Sequence, residues 1–212
     1  MDLAIVTNAW YPAGVPEYVH MTDELKSRYC RRWNIDYLRT AENPHPENPP
    51  AWAKPSIMLR ALEDHAWAVW MDCDAAPVGM EFDIQGFLLG MPQLVVMARD
   101  INGWNSGVFA IPWTDRCMDW LGLVESMHGD ARYQSGWWDQ QAMSDTFDSG
   151  HAGIVVQPDP SIGFNSYPDI YNRKGDPNLY RDGHWCMHVP GADDKTRANA
   201  FRRFFNVMIS II

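Results

Sequence analysis

The sequence has few basic residues and no basic cluster. Lys and Arg total 17 of 212 residues against 27 Asp and Glu, which gives a formal net charge of -10 at pH 7. Nucleic-acid binding depends mainly on Lys and Arg contacts to phosphates, so this composition argues against a nucleic-acid partner. An acidic protein that binds a phosphate ester needs a metal ion or a few local cations instead.

Cysteine is also scarce, and its spacing forms no recognisable pattern. The four cysteines are Cys30, Cys73, Cys117 and Cys186. Because no C-x-x-C pair occurs, neither a zinc knuckle nor a disulfide framework is indicated. We expect four reduced and mostly buried thiols.

Long apolar runs are missing. No stretch approaches the ~20 apolar residues that cross a bilayer, and the first residues lack the basic and apolar regions of a signal peptide. The expectation is a protein without a transmembrane segment, cytoplasmic or otherwise soluble, with a Golgi location only if an anchor has been removed. The 46% hydrophobic content can form one core, which predicts a single domain over 1–212.

Strand-like and helix-like segments alternate along the first third of the chain. Predicted strands cover 3–7, 35–39 and 67–71, and predicted helices cover 16–33 and 52–65, with a proline-rich loop at 41–50. This alternation predicts an α/β fold with a mostly parallel sheet flanked by helices. Further strands are predicted at 93–98, 107–111 and 153–157, and helices at 83–89, 114–127, 137–148 and 196–208.

The segment 66–77, AWAVWMDCDAAP, is an apolar run that ends in two aspartates. In extended chain, residues two apart point the same way, so Asp72 and Asp74 can face one site while Cys73 turns into the packing. Oxygen ligands favour Mg²⁺ or Mn²⁺. From these residues alone, the alternative is that Asp72 caps a helix and Asp74 is solvated.

Other polar segments offer site residues. In DINGWNSG, Gly103 and Gly107 allow close approach of a ligand and Asn105 can read hydroxyls, although N-G is also a common hairpin turn. In WWDQQ, Asp139 suits the start of a helix. Gln140 has no capping need there, which makes it a candidate for facing a reacting centre.

Near the C-terminus, HWCMHVPG supplies a histidine and a glycine. His188 can complete an O,O,N metal site, although a lone histidine is often structural. Gly191 and the cations Lys195 and Arg197 lie where a loop becomes a helix, a position suited to a diphosphate or simply to solvent. Lys54 can likewise reach a nucleotide or solvent. Most of the tryptophans are expected in the core, but those beside polar loop residues, including Trp138, can stack on sugar faces.

Six motifs resemble, in order and at compatible spacing, those of the retaining galactosyl, xylosyl and mannosyl transferases of glycosyltransferase family 34. They are WAKPSIMLRAL, AWAVWMDCDAAP, DINGWNSGVFAIP, WWDQQAM, QPDPSIGFNSY and HWCMHVPG. The resemblance implies a GT-A (Rossmann-like) fold with a nucleotide-sugar half, about 1–100, and an acceptor half, about 101–212. It also implies Mn²⁺-dependent (or Mg²⁺-dependent) transfer of a hexose or pentose from a UDP- or GDP-sugar to a glycan or other hydroxyl, with retention.

The resemblance also suggests residue roles. Asp72, Asp74 and His188 look like the metal ligands, and Asp139 and Gln140 like the pair beneath the anomeric carbon. Nucleotide and donor contacts correspond to Thr7, Asn8, Lys54, Asp100, Asn105 and Gly107, to which Gly191 and Lys195 are added from their own position. Acceptor contacts correspond to Phe164, Asn165 and Tyr167, together with Trp138.

Two features depart from the family, and two other protein classes remain open. The chain carries no N-terminal membrane helix, and Ala192 stands where the family has a cysteine after H-x-x-G. A haloacid-dehalogenase-like phosphatase also places D-x-D after an apolar strand, but Ala76 and the position of the motif in the chain argue against it. A catalytically inactive sugar-binding module would keep the same carboxylates and tryptophans.

Overall fold

A six-stranded sheet with helices packed on both faces forms the centre of the molecule. The computed structural model describes residues 1–170 and 176–209. The strands are β1 (Leu3–Asn8), β2 (Asp36–Thr40), β3 (Trp67–Met71), β4 (Ala75–Pro77), β5 (Val95–Asp100), β6 (Gly103–Pro112), β7 (Val155–Val156) and β8 (Cys186–His188). The helices are α1 (Glu17–Trp33), α2 (Ala53–Asp64), α3 (Ile84–Leu89), α4 (Asp115–Ser126), α5 (Trp138–Thr146) and α6 (Asp194–Ile209).

The strand order in the main sheet is β2-β1-β3-β6-β5-β7. Strand β6 pairs antiparallel with both β3 and β5, and the other three pairings are parallel. The predicted mostly parallel α/β sheet is therefore confirmed. A separate two-stranded sheet pairs β4 with β8 in antiparallel register, with Ala75 opposite His188.

Alternation along β1 explains why both faces of the sheet are covered. Ala4 and Val6 belong to a buried cluster with helices α2, α4 and α5. Leu3 and Ile5 belong to a second cluster with α1 and α3. Since successive side chains of a strand point to opposite faces, one strand supplies apolar groups to two helical layers.

The predicted elements agree with the structure to within a few residues for most of the chain, and the differences concern the site. The turn signal at Asn102 and Gly103 is a hairpin, because β5 and β6 pair directly across it. Strand β6 accordingly begins at Gly103, not at residue 107. The predicted strand at 153–157 is only two residues long, and β4 and β8 were not predicted.

All four cysteines are free thiols, as expected. Cys73 is half-buried, whereas the other three are buried. Within the described ranges, every helix is too short or too polar to cross a membrane.

Candidate active site

The two aspartates of the D-x-D segment lie in a turn. The sequence predicts extended chain here, and that prediction is wrong. Strand β3 ends at Met71, the amide of Ala75 donates to the carbonyl of Asp72 at 3.0 Å, and β4 follows at once. The Cys73 side chain forms a hydrogen bond with the Tyr11 hydroxyl at 2.9 Å. Cys73 therefore points away from the side chains of Asp72 and Asp74, as predicted. A turn produces this arrangement here, and not the alternation of side chains along a strand.

His188 meets both aspartates because β8 pairs with β4. The His188 Nε2 atom lies 3.4 Å from Asp74 Oδ1 and 4.0 Å from Asp72 Oδ2. These three residues offer ligand atoms that all lie within 4.8 Å of one another. Two carboxylates of one turn and the imidazole at the end of β8 therefore form a candidate site for a divalent cation.

Each carboxylate uses its other oxygen to hold its position. Asp72 Oδ1 accepts a hydrogen bond from Trp70 Nε1 at 2.6 Å, and Asp74 Oδ2 lies 3.1 Å from the guanidinium of Arg197. The oxygens that face His188 are thus left for a ligand. Burial disfavours the charged form of Asp74, and the neighbouring guanidinium of Arg197 favours it.

A chain of hydrogen bonds fixes the tautomer of His188. The backbone amide of Gly107 donates to Asn105 Oδ1 at 2.9 Å, which identifies that atom as the amide oxygen. Asn165 Nδ2 donates to the same oxygen, so Asn165 Oδ1 accepts from His188 Nδ1 at 3.0 Å. With its proton on Nδ1, the neutral imidazole presents the lone pair of Nε2, the form that binds a metal.

Three lone-pair-bearing atoms then converge without a donor between them: Asp72 Oδ2, Asp74 Oδ1 and His188 Nε2. Such an arrangement is repulsive unless a cation or an added proton occupies the centre. Two hard oxygen ligands and one imidazole suit Mn²⁺ or Mg²⁺. The donor set therefore fits the metal ion that the sequence suggests.

Gly107 makes room for the imidazole. A Cβ atom built on Gly107 would lie 2.0 Å from Cε1 of His188, well inside van der Waals contact. From the sequence, this glycine is expected to admit a ligand. Its backbone does line the cavity, but the space above it belongs to His188.

Lys54 joins two of the carboxylates. Its ammonium lies 3.0 Å from Asp139 Oδ2 and 3.3 Å from Asp72 Oδ1, and it donates to the hydroxyl and carbonyl oxygens of Ser106. Burial alone would lower the pKa of Lys54, but the two aspartates raise it. Lys54 is therefore a charged, buried bridge whose donors are directed at protein atoms, neither at solvent nor at a free ligand.

Replacing Lys54 by methionine is expected to lower the free energy of unfolding by about 3–5 kcal/mol, because Asp139 keeps its buried charge without a counter-ion. Burial already raises the pKa of Asp139 against the opposing effect of Lys54. Urea denaturation measures the change. The double variant Lys54→Met, Asp139→Asn should recover much of the loss, and Lys195→Met on the exposed surface should change stability by less than about 0.5 kcal/mol. An equal loss in the single and double variants would contradict this explanation.

Gln140 lies beside this bridge at the start of α5. Its Oε1 accepts a hydrogen bond from the backbone amide of Ser106 at 3.0 Å, which identifies the remaining group as the NH₂. That NH₂ has no hydrogen-bond partner within the described part of the chain. Trp138, two residues earlier, is exposed and has φ 42°, a conformation that large side chains rarely adopt.

These groups line one cavity of about 410 Å³. Its walls include eleven of the residues predicted for the site: Lys54, Asp72, Asp74, Asp100, Asn105, Gly107, Trp138, Asp139, Gln140, His188 and Gly191. An adjoining cavity of about 330 Å³ shares Lys54, Asp72 and Trp138 and adds Asn8, Trp10 and Tyr11. A larger cavity of about 650 Å³ beside α6 shares no lining residue with these two, and no cluster of metal ligands among the described residues lines it.

Some predicted residues support the site from behind. The Asn165 amide orients His188, as above. The Tyr167 hydroxyl donates to Asp100 Oδ2 at 2.9 Å, and Asn105 Nδ2 donates to the same oxygen. Asn165 and Tyr167 are buried and do not line the cavity.

Three further predicted residues line neither of these two cavities. The Thr7 hydroxyl is fully buried and donates to the carbonyl of Met71 at 2.7 Å. Phe164 packs in the core against Trp185, with ring centroids 5.2 Å apart. Lys195 is exposed on α6, and Arg197, two residues later, is the cation that reaches Asp74.

Asn8 lines only the adjoining cavity, and its amide is engaged by the proline-rich loop. Its Nδ2 donates to the carbonyl of Glu42 at 2.8 Å, and its Oδ1 accepts from the Glu42 amide at 3.1 Å. This pair of hydrogen bonds attaches the loop to the end of β1.

Lys26 also supports the site, although no sequence motif points to it. It is fully buried on α1 and donates to the carbonyl of Asp72 at 3.0 Å, so it holds the D-x-D turn from below. Lys26 lies among apolar residues of α1, between Leu25 and Tyr29, and this position in the sequence could have indicated that it is buried. A lysine on the buried face of an amphipathic helix needs a partner.

No protein-family model matches this sequence, and no curated protein matches it. Several solved structures do resemble it. A glycosyltransferase involved in glycosylation of the major capsid of PBCV-1 has a TM-score of 0.76 at 16% identity, over 96% of this chain and 100% of that one. The galactosyltransferase LgtC gives 0.63 at 13%, over 98% and 96%, and mouse xyloside xylosyltransferase 1 gives 0.55 at 9%, over 90% and 98%.

These likenesses confirm the predicted GT-A fold. They do not identify the particular family that the six motifs resemble. Membership of that family stays a prediction.

Proposed function

We propose that this protein is a metal-dependent, retaining glycosyltransferase. It moves a hexose or pentose from a UDP- or GDP-sugar to a hydroxyl of a glycan or other acceptor. The observation that carries this proposal is the convergence of Asp72, Asp74 and the Nε2 lone pair of His188 in a cavity of a GT-A fold. The likeness to solved glycosyltransferases supports the fold on which this site stands.

Asp72, Asp74 and His188 would hold Mn²⁺ or Mg²⁺. When bound, the ion supplies Lewis-acid stabilisation of the departing nucleoside diphosphate. The protein adds its own cation, because Arg197 lies against Asp74 and beside the loop that carries Gly191. We assign the diphosphate to this side of the cavity.

The sugar of the donor belongs on the opposite side, above α5. The NH₂ of Gln140, which has no hydrogen-bond partner among the described residues, would face the reacting carbon, and Asp139, held by Lys54, would supply negative charge beside it. An oxocarbenium-like transition state is stabilised by such oriented dipoles and charges. Asp100 and Asn105 would contact the hydroxyls of the same sugar.

We assign the nucleobase to the adjoining cavity. Asn8 lies at its wall, and the rings of Trp10 and Tyr11 offer flat apolar surfaces on which a base can stack. Thr7 and Lys195, which the sequence analysis also assigned to the nucleotide, have no part in this assignment.

The acceptor would approach over Trp138, whose exposed ring can stack on a sugar face. Asn165 and Tyr167 act on this reaction through His188 and Asp100, not by touching the acceptor. The two halves, about 1–100 and about 101–212, both contribute, since Lys54 and Asp72 come from the first and Asp139 and His188 from the second.

Retention is supported by the fact that the carboxylates of the cavity already have partners. Asp100 and Asp139 each accept hydrogen bonds from protein donors, and Asp72 and Asp74 belong to the cation site. Among the described residues that line the cavity, no carboxylate is left free to deprotonate an acceptor, which an inverting reaction requires. The proton of the acceptor would pass to the departing phosphate on the same face of the sugar.

Nucleotide release from a panel of UDP- and GDP-sugars tests this proposal without knowledge of the acceptor. We expect slow hydrolysis of one donor, with Mn²⁺ present and not with a chelator. Release that is equal with and without metal would contradict the assigned site. A folded protein that binds glycans but releases no nucleotide from any donor would favour the inactive sugar-binding module.

A further inference from the structure

A second group of ligand-type side chains lies outside the cavity. His45 and Glu47 come from the proline-rich loop before α2, and His128 follows the end of α4. One ring nitrogen of each histidine and one carboxylate oxygen of Glu47 all lie within 4.8 Å of one another. The two rings are stacked, with centroids 3.9 Å apart.

Hydrogen bonds to one residue set the tautomer of both rings. His45 Nε2 lies 2.7 Å from Glu125 Oε1, and because a carboxylate only accepts, Nε2 carries the proton and Nδ1 keeps its lone pair. His128 Nδ1 lies 2.8 Å from the Glu125 carbonyl oxygen, so its Nε2 keeps the lone pair. Histidines that bind metals typically donate their other N–H to a carboxylate or carbonyl in this way.

Glu125 also has a charge that the protein does not fully compensate. Its Oε1 accepts from Ser56 and His45, but its Oε2 is buried without a hydrogen-bond partner. A buried carboxylate oxygen without a donor is costly. A cation held by the neighbouring histidines would offset that charge.

We propose that His45, Glu47 and His128 form a binding site for a transition-metal ion of the Zn²⁺ type. Two imidazoles and one carboxylate suit Zn²⁺, and three protein ligands leave a fourth position for water. The donor set differs from the two-carboxylate cluster of the cavity, which suits a harder ion. The proposal does not depend on the proposed glycosyl transfer.

Such a site would fix the position of the proline-rich loop. The loop that carries His45 and Glu47 is attached at its start to Asn8 through Glu42, and Ala51, just after it, lines the main cavity. A bound ion would fasten this loop to the end of α4. It would stabilise the wall of the cavity without touching the reacting groups.

Zn²⁺ binding to the full chain tests this site. We would use Asp74→Asn protein, in which the other cluster is disabled, and measure Zn²⁺ affinity by competition with a chromophoric chelator and Tm by calorimetry. We expect one bound Zn²⁺ and a higher Tm in its presence. His128→Gln and Glu47→Gln should each weaken Zn²⁺ by about 10–100-fold or more, since loss of even an indirect partner of a ligand has that effect.

His20→Gln provides the matched control, because His20 is exposed on α1 away from the cluster. It should leave the affinity and the Tm shift unchanged. The exposed position of Glu47 makes Glu47→Gln safe for folding, and circular dichroism checks each variant. Equal Zn²⁺ affinity in the Asp74→Asn protein with and without His128→Gln, or no Zn²⁺ binding at all, would overturn the proposal.

Discussion

Replacing Asp74 by asparagine is expected to lower metal-dependent release of nucleotide by about 100-fold or more. Asparagine keeps the shape of the side chain but removes the charge that faces His188 Nε2 at 3.4 Å. Changes to groups that only support metal ligands cost about 10–100-fold, so loss of a ligand should reach at least the upper end. Initial rates across a Mn²⁺ titration measure the effect.

Two controls separate loss of the metal from loss of the fold. Asp194→Asn also removes a carboxylate near Arg197, 3.6 Å away, but on the exposed side of α6. It should leave the Mn²⁺ dependence unchanged. Circular dichroism should show Asp74→Asn protein folded, and unchanged nucleotide affinity in Mn²⁺ would remove Asp74 from the site.

Replacing Gly107 by alanine is expected to abolish Mn²⁺-dependent activity although no ligand or reacting group is altered. The added Cβ would lie 2.0 Å from Cε1 and 2.7 Å from Nδ1 and Nε2 of His188. The His188 ring cannot keep its position next to this Cβ. Gly107 lies in strand β6 and His188 in strand β8, and sheet pairing prevents the two backbones from moving apart. The imidazole must therefore turn away from Asp72 and Asp74, and its hydrogen bond to Asn165 is lost. Overpacking of this kind costs about 1–3 kcal/mol of stability as well.

Gly122→Ala is the matched control for this substitution. Gly122 lies inside α4, where a Cβ would meet nothing within 4 Å. Alanine there should raise stability by about 0.5–1 kcal/mol, because glycine is a poor helix former, and leave activity unchanged. Isothermal titration with Mn²⁺ should detect no binding to Gly107→Ala protein. Binding at the affinity of the unmodified protein would show that His188 is not a ligand.

The D-x-D pair could be predicted because the residues that indicate it are adjacent in the sequence. A buried apolar strand that stops at Asp72 can be read from neighbouring residues, and the carboxyl end of such a strand is where α/β sheets bind ligands. The turn that replaces the extended chain was not predictable in the same way. It exists because β4 must leave the sheet to pair with β8.

The role of His188 depended on contacts far apart in the sequence. The order of motifs suggested a ligand, but only the register that sets Ala75 opposite His188 brings the imidazole to Asp74. The same holds for Asn165, whose hydrogen bond to His188 joins residues 23 positions apart in the sequence. Side-chain partners across sheets cannot be derived from local spacing.

The sequence by itself determined the sheet and the nature of the donor atoms. Apolar periodicity specifies strands and helices, and residue type decides which metal or ligand a group can bind. Only the tertiary structure decided which donors are already used by the protein. Lys54 became a bridge between Asp72 and Asp139, and Gly107 became space for His188, because burial forces each polar group to find a partner and each volume to be filled once.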